Sequence, residues 1–482
     1  MKLLHALAIA IAICPAATMF AVEGERARPN ILLAIADDWG FPHASCYGDS
    51  AVKTPTFDRL AREGALCKHA FVSSPSCTPS RGALLSGQHF WRLREGANLW
   101  VTLPADIPVY PDLLEAAGYF VGYTRKGWGP GKLGDRRRNP AGKQFKDFAT
   151  FLDERPQGKP FCFWFGSLDP HRPYAPGSGV ADGIDPAKIK LPAALPDAAE
   201  TRSDVADYYF EVQRFDREVG GLLRQLEALG ELDNTIVVMT GDHGMPFPRG
   251  KANLYDLGTH VPLAIRWGGK LPRPGRTIDE FVSLTDLAPT FLAAAGVPAP
   301  EAMTGRSMLD LLTVSADAES PRDHVLLGRE RHTQAQEAPE GGGYPMRAIR
   351  TADYLYIRNL KPDRWPVGTP NFQRAFLLRA WLGDTDNGPS KEFLWLHRRE
   401  PAVMPFYARA FEKRPAEELY HLPTDPDQII NLADDATHAE AKRKLSARLM
   451  NELKAAGDPR VTGGERFDRY PYYGGVPEWP FN

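Results

Sequence analysis

Three short apolar runs stand out along the chain, and each breaks into polar residues at its C-terminal end. Ile31 to Ala36 follows a proline by two residues and stops at Asp37-Asp38; Phe161 to Phe165 leads to Asp169-Pro170-His171; Thr235 to Met239 leads to Asp242-His243. Apolar runs of this length, bounded by turn residues, predict buried β-strands. Between the second and third, Val205, Tyr208, Val212, Phe215, Val219, Leu222, Leu226 and Leu229 recur every three or four residues. That spacing lays one apolar stripe along a long helix feeding the third strand. Phe281 to Pro298 reads as a further strand followed by a helix. Strands alternating with helices predict an α/β unit, a mostly parallel sheet sandwiched between helices. In such sheets ligands gather outside the carboxyl ends of the strands, where these polar clusters lie.

After about Leu312 the pattern changes. "YPMRAIRTADYLYIRN" and "EELYHLPTDPDQIINLA" predict short alternating strands, and "HAEAKRKLSARLMNELKAAG" an amphipathic helix. The expected organisation is a signal segment over 1–21, a catalytic domain over 28–315, and a smaller α+β subdomain over 316–482 with a short antiparallel sheet and a helix. The stretch from Trp365 to Pro415 carries no assignable pattern, and no internal repeat or low-complexity tract interrupts the chain.

A chain of 482 residues with 43% hydrophobic and 24% charged residues is an ordinary globular composition. A formal net charge of -2 argues against nucleic acid as a bulk electrostatic partner, while leaving room for a local cationic pocket. At the N-terminus, Lys2 precedes an apolar run from Leu3 to Cys14 and small residues to about Ala21. This is the layout of a cleaved export signal, too short for a membrane span of about 20 residues, and it predicts a periplasmic or secreted protein. Cys46, Cys67, Cys77 and Cys162 then remain. Four scattered cysteines in a chain this long are not a disulfide framework, although a Cys46–Cys67 pairing stays open, and no spacing resembles a zinc site. Oligomeric state is open too.

Asp37, Asp38 and Asp242 are expected to crowd one sheet edge. Three carboxylates there repel one another and resist desolvation unless a hard divalent cation neutralises them; oxygen-rich ligation suits calcium or magnesium, with His243 as a nitrogen ligand. Any one acidic pair at a strand end is otherwise a cap or a solvated loop. The segment "SSPSCTPSRGALLSG" supplies an anion site. Pro79 fits the first turn of a helix, so Cys77 falls at its N-terminus, where free N–H groups and the dipole favour anions and lower a thiol pKa. Arg81 adds a fork-shaped donor for tetrahedral oxyanions. A thiolate beside a hard metal is a poor match, which hints that the working side chain is not cysteine.

The sequence C-T-P-S-R resembles the C-x-P-x-R signature of type I sulfatases, in which the cysteine is oxidised to formylglycine. The likeness extends in order through "NILLAIADDWG", "DPHRPY", "GDHGMPFPRGKANLYDLGTHVPL" and "LTDLAPTFLAAAGVP". "GMPFPRGKANLY" and "YPMRAIR" look most like heparan N-sulfatases (sulfamidases) and polysaccharide sulfatases. The resemblance implies an alkaline-phosphatase-like fold and calcium, with magnesium second, held by Asp37, Asp38, Asp242, His243 and the modified Cys77. It implies a hydrated formylglycine whose one oxygen attacks sulfur while the other later expels sulfate. Arg81, Lys126 and Lys251 would bind the sulfate, and His171 would protonate the leaving atom. The implied partners are a sulfated carbohydrate, N-sulfoglucosamine or heparan-like first and O-sulfated algal polysaccharide next, and a formylglycine-generating enzyme. A phosphoric or phosphonic ester hydrolase and a non-catalytic sulfated-glycan binder rank below.

One departure matters. The family reads G-K-W-H where this chain reads "TRKGWGPGK", so Trp128 stands at the position of a histidine that helps break down the sulfated intermediate. Either another base serves, with His89 as the candidate, or turnover is slow; loop packing is the simpler role for Trp128. Glu330, Arg331 and His332, just after a predicted strand, are candidate sugar contacts. Asp135-Arg136-Arg137-Arg138 is either a polyanion-attracting run or a solvated face.

Overall fold

The computed structural model describes residues 28–313, 322–464 and 466–475. The expected signal segment and the expected boundary at 315/316 lie outside the described residues. Among those described, no helix is long and apolar enough to cross a membrane.

The strands of the large sheet are β1 (Asn30–Ala36), β2 (Ala65–Phe71), β3 (Phe120–Arg125), β4 (Lys143–Gln144), β5 (Phe161–Gly166), β6 (Thr235–Gly241), β7 (Leu263–Trp267) and β8 (Arg276–Ser283). Their spatial order is β8-β2-β7-β6-β1-β5-β3-β4. All neighbours are parallel except β7, which runs antiparallel to β2 and β6. Every residue of β1 and β6 is buried. Their side chains alternate between two cores: Ile31, Leu33 and Ile35 face one, Leu32, Ala34 and Ala36 the other. A strand covered on both faces must be apolar at every position, which is why these strands read as unbroken runs.

The first face packs helices α2 (Cys77–Ser86) and α4 (Leu287–Ala294); the second packs α1 (Pro55–Glu63) and α3 (Ala199–Ala228). The predicted stripe of α3, from Val205 to Leu226, is buried against the sheet. The second sheet contains β9 (His324–Arg329), β10 (Met346–Thr351), β11 (Tyr354–Asn359) and β12 (Glu417–His421), all antiparallel. Its Ala348, Leu355 and Ile357 join Phe71 and Phe281 of the large sheet, while Ile349, Tyr356 and Leu419 share a core with Leu445, Leu449 and Leu453 of the C-terminal helix Ala439–Ala455.

The segment without a sequence pattern is ordered around its own small core. Helices Pro389–Leu396 and Met404–Phe411 and the irregular stretch before them enclose Val367, Trp381, Leu382, Leu394 and Phe411. Its first helix leans on α3, which carries this segment to the carboxyl edge of the large sheet. The four described cysteines, Cys46 included, are free thiols.

Candidate active site

The site forms where β1, β6, β5 and β3 end together. Asp37 and Asp38 leave β1, and Asp242 and His243 leave its neighbour β6. The two exits are tied by backbone: Asp242 N–H donates to Ala36 O at 3.0 Å, and Asp38 N–H to Asp242 Oδ1 at 2.9 Å. Gly241 is required for this approach, since a Cβ there would stand 2.1 Å from Trp39 O. Asp38 has φ +74°, a conformation that few non-glycine residues adopt and that clusters at functional sites.

Helix α2 enters from the side with Cys77 as its first residue and Ser76 as its N-cap, and all ten of its residues are buried. The Cys77 thiol lies 3.6 Å from Asp37 Oδ1 and 3.3 Å from His243 Nε2. Four donor atoms, one each from Asp37, Cys77, Asp242 and His243, fall within 4.8 Å of one another. Asp38 joins them, its Oδ1 3.0 Å from His243 Nε2. The His243 Nδ1 is 3.0 Å from Gly244 O, so it carries the ring proton and Nε2 presents a lone pair. Two acceptors therefore face each other, and Asp38 Oδ1 is buried with no hydrogen-bond donor. A cation between them satisfies both, and the donor set of carboxylates and imidazole fits a hard divalent ion.

Around this cluster stand three cations. Arg81, fully buried, donates from Nε to Asp242 Oδ2 at 2.7 Å and from Nη1 to the carbonyls of Lys126 and Gly127. Its Nη2 has no hydrogen-bond partner and lies 3.6 Å from Asp37 Oδ1. Lys126 Nζ donates to Asp37 Oδ2 at 2.5 Å. Lys251 Nζ is shared between Asp38 Oδ2 and Asp386 Oδ2, 2.9 Å from each. His171 is more open, its side chain 37% exposed, with Nε2 3.9 Å from Asp38 Oδ2 and Nδ1 2.6 Å from Arg172 O. Burial alone would raise the Asp37 carboxyl, but Lys126, His171, Arg81 and Lys251 outweigh it and hold the group well below the usual carboxylate range. Burial wins at Asp38 and pushes it up against the pull of Lys251.

The structure corrects the reading of Cys77 as a nucleophilic thiolate. Burial pushes its thiol well above the ordinary value, and the attraction of Lys126 does not compensate. The helix mouth supplies a dipole, but the chamber excludes the water a thiolate needs.

Asp37, Asp38, Cys77, Arg81, Lys126, His171, Asp242, His243 and Lys251 thus come together from six separate stretches. Of the other candidates, His332 borders the cluster and the rest stand elsewhere. His89 lies three residues past the C-terminal end of α2, stacked on Trp91; the ten residues of α2 separate it from Cys77 by about 15 Å of helix. Trp128 is buried in the core beside Gly82, in the loop-packing role. Arg331 points away, binding the carbonyls of Tyr470 and Pro471, and Glu330 is locked between Arg347 and Arg460. His332 is buried with Nδ1 2.8 Å from Ser76 Oγ, so it braces the residue before Cys77. In the basic run, Arg136 binds the carbonyls of Leu103, Pro104 and Ile107, and Arg138 pairs with Glu115 and Asp112. That run is structural in the main. Asp386 was not anticipated: it sits in the patternless segment, 135 residues from Lys251, and no local signal marks it.

The sulfatase family profile matches residues 29–132 and 141–297, and a second profile, "N-sulphoglucosamine sulphohydrolase, C-terminal", matches 241–365. Human N-sulphoglucosamine sulphohydrolase is 30% identical over 90% of this chain and 92% of its own length. An ulvan-active sulfatase of Formosa agariphila is 29% identical over 89% of this chain and 81% of its own. A solved sulfatase-fold structure, described as a complex with its substrate D-glucosamine-2-N,6-O-disulfate, superposes with TM-score 0.63 and 21% identity, covering 91% of this chain and 100% of that one. The expected alkaline-phosphatase-like architecture is therefore the observed one. Its sequence, its fold and the acid–histidine–lysine cluster at the sheet edge agree, and the chain belongs to the sulfatase family as a hydrolase of sulfuric esters or sulfamates.

Proposed function

We propose that this protein is an exported sulfatase of sulfated carbohydrates that uses a formylglycine made from Cys77 and a bound calcium ion. N-sulfated glucosamine, as in heparan-like chains, is the first substrate, and O-sulfated algal polysaccharide the second. The observation that carries the reading is the position of the Lys251 ammonium, 2.9 Å from both Asp38 and Asp386. One oxygen or nitrogen each from Asp38, His171 and Asp386 lies within 4.8 Å, a set that could hold a second metal ion. A lysine stands among them instead.

The charge balance follows from that. Asp37, Asp38, Asp242 and Asp386 bring four negative charges against three positive from Arg81, Lys126 and Lys251. One divalent ion turns the remaining negative charge positive, and a protonated His171 adds one more positive charge, which suits the monoanion of a sulfate ester or sulfamate. A phosphate monoester carries more charge and favours a second ion, so the phosphatase reading is disfavoured. The likeness to human N-sulphoglucosamine sulphohydrolase supports the N-sulfated substrate, and that to the ulvan-active enzyme supports the second.

Asp37, Asp38, Asp242, His243 and the modified Cys77 would hold the calcium ion, which supplies Lewis-acid stabilisation of negative charge on sulfuryl oxygens. Formylglycine, once hydrated, supplies an oxygen nucleophile in place of a thiol that burial keeps protonated. Arg81 Nη2, which makes no hydrogen bond within the protein, Lys126 and Lys251 orient the sulfuryl oxygens and stabilise charge that develops on them. His171, bonded at Nδ1 to Arg172 O, can deliver a proton from Nε2 to the departing oxygen or nitrogen.

The test is a panel of N- and O-sulfated mono- and disaccharides, assayed before and after chelation, with peptide mass spectrometry at Cys77 on exported protein. Sulfate release that disappears with the metal and returns with calcium, from protein carrying formylglycine, is expected. Full activity with unmodified Cys77, or after verified metal loss, overturns the corresponding part of the reading.

A further inference from the structure

The loop from Asp384 to Ser390 is held at three places by buried groups. Asp384 takes the guanidinium of Arg329 and both the N–H and the hydroxyl of Thr333. Lys391 Nζ reaches back to the carbonyls of Trp381, Leu382 and Thr385 and to Asn387 Oδ1, at 2.7 to 3.1 Å. Ser390 donates from N and Oγ to Asp204, which also takes both arms of Arg172. Arg172 adjoins His171. The loop is therefore fixed relative to the leaving-group side of the site.

Between these anchors, Asp386 reaches the pocket. Its side chain is 23% exposed, with Oδ2 2.9 Å from the ammonium of buried Lys251 and a carboxylate oxygen within 4.8 Å of a ring nitrogen of half-open His171. Burial opposes its charge, but Lys251 and His171 keep it ionised. An anion at the mouth of a pocket built for an anion weakens substrate attraction unless it meets a donor. The Oδ2 atom is committed to Lys251, which leaves Oδ1 to accept from an incoming group.

Resting on the proposed sulfatase activity, we propose that Asp386 is a specificity-determining residue. It accepts a hydrogen bond from a hydroxyl or amine on the sugar carbon next to the sulfated position, and it excludes substrates bearing a second sulfate or a carboxylate there. The selected substrates are sugars with a free donor beside the scissile group. A missing donor leaves a partly buried carboxylate unpaired, and a neighbouring anion adds repulsion, so discrimination is large.

The experiment takes the sulfated sugar that the formylglycine-bearing wild type cleaves fastest. It compares kcat/KM for that sugar with counterparts whose adjacent hydroxyl is methylated or sulfated. Wild type is expected to prefer the free hydroxyl over the ether by ~10²-fold and over the sulfate by more. In Asp386→Asn and Asp386→Ser the preference is expected to shrink to within about tenfold, with the vicinally sulfated sugar gaining most in relative terms. A merely structural role lowers all substrates alike and leaves the ratios unchanged, which overturns the inference. So does a wild type indifferent to methylation, a result that needs no variant to fold. Failure of wild type to cleave any sulfated sugar overturns the proposed function itself, and this inference with it.

Discussion

Arg81 shows how much of the site rests on single side chains. Its guanidinium uses one nitrogen on Asp242, one on two backbone carbonyls, and leaves the third without a hydrogen bond, 3.6 Å from Asp37 Oδ1. Lysine cannot reproduce that fork. Arg81→Lys is expected to lower kcat by ~10²–10³-fold, read by steady-state kinetics with formylglycine content matched between proteins. His89 gives the opposite expectation. It stands past the far end of α2, so His89→Ala should change kcat/KM by less than about threefold. A loss beyond tenfold in folded protein would restore it as a candidate base.

At the scale of elements, the patternless segment acts through the way its loop is pinned. The ammonium of Lys391 sits among four oxygens inside the segment's core. Lys391→Met removes the donor and leaves buried carbonyls unpaired, at a cost of about 3 kcal/mol. The melting temperature should fall, and kcat/KM should fall with it, as Asp386 loses its fixed distance to Lys251. A variant that melts normally but keeps full activity would show that the loop needs no such anchor.

For the molecule as a whole, stability should depend on pH through buried histidine. His260 is stacked between Phe41 and Phe71, and burial lowers its pKa to about 3. The folded value lies below the unfolded value of about 6.5, so the neutral ring is favoured in the fold. Its contribution is complete above about pH 6.5 and is lost as pH falls toward 3, at up to about 1.4 kcal/mol per pH unit. Denaturant midpoints between pH 7 and 4 should decline, and His260→Phe should remove part of that slope; an unchanged slope would assign the acid sensitivity to other groups. Chelation tests the same scale from another side. Removing the proposed ion would leave Asp38 Oδ1 facing a histidine lone pair, so the melting temperature should drop and recover on adding calcium.

The strands and their acidic ends were legible in the sequence because residues buried on both faces must be apolar throughout, and because α2 and α3 carry local signals in Pro79 and a repeating stripe. The resemblance, anchored on Cys77 and Arg81, then identified the residues that the carboxyl edge brings together. By itself the sequence determined the chemistry carried by each stretch. The tertiary structure alone decided which charges meet. Cys77 read as an activated thiolate from its helix position, yet enclosure by neighbouring elements raises its pKa. Arg331 and His89 read as polar candidates near the right segments, but their partners come from residues distant in sequence, or from the wrong end of a helix. Asp386 had no legible signal because its position depends on a loop held by Arg329, Lys391 and Asp204, contacts that exist only once the chain is folded. Long-range electrostatics is set by distance in space, and distance in sequence carries almost none of it.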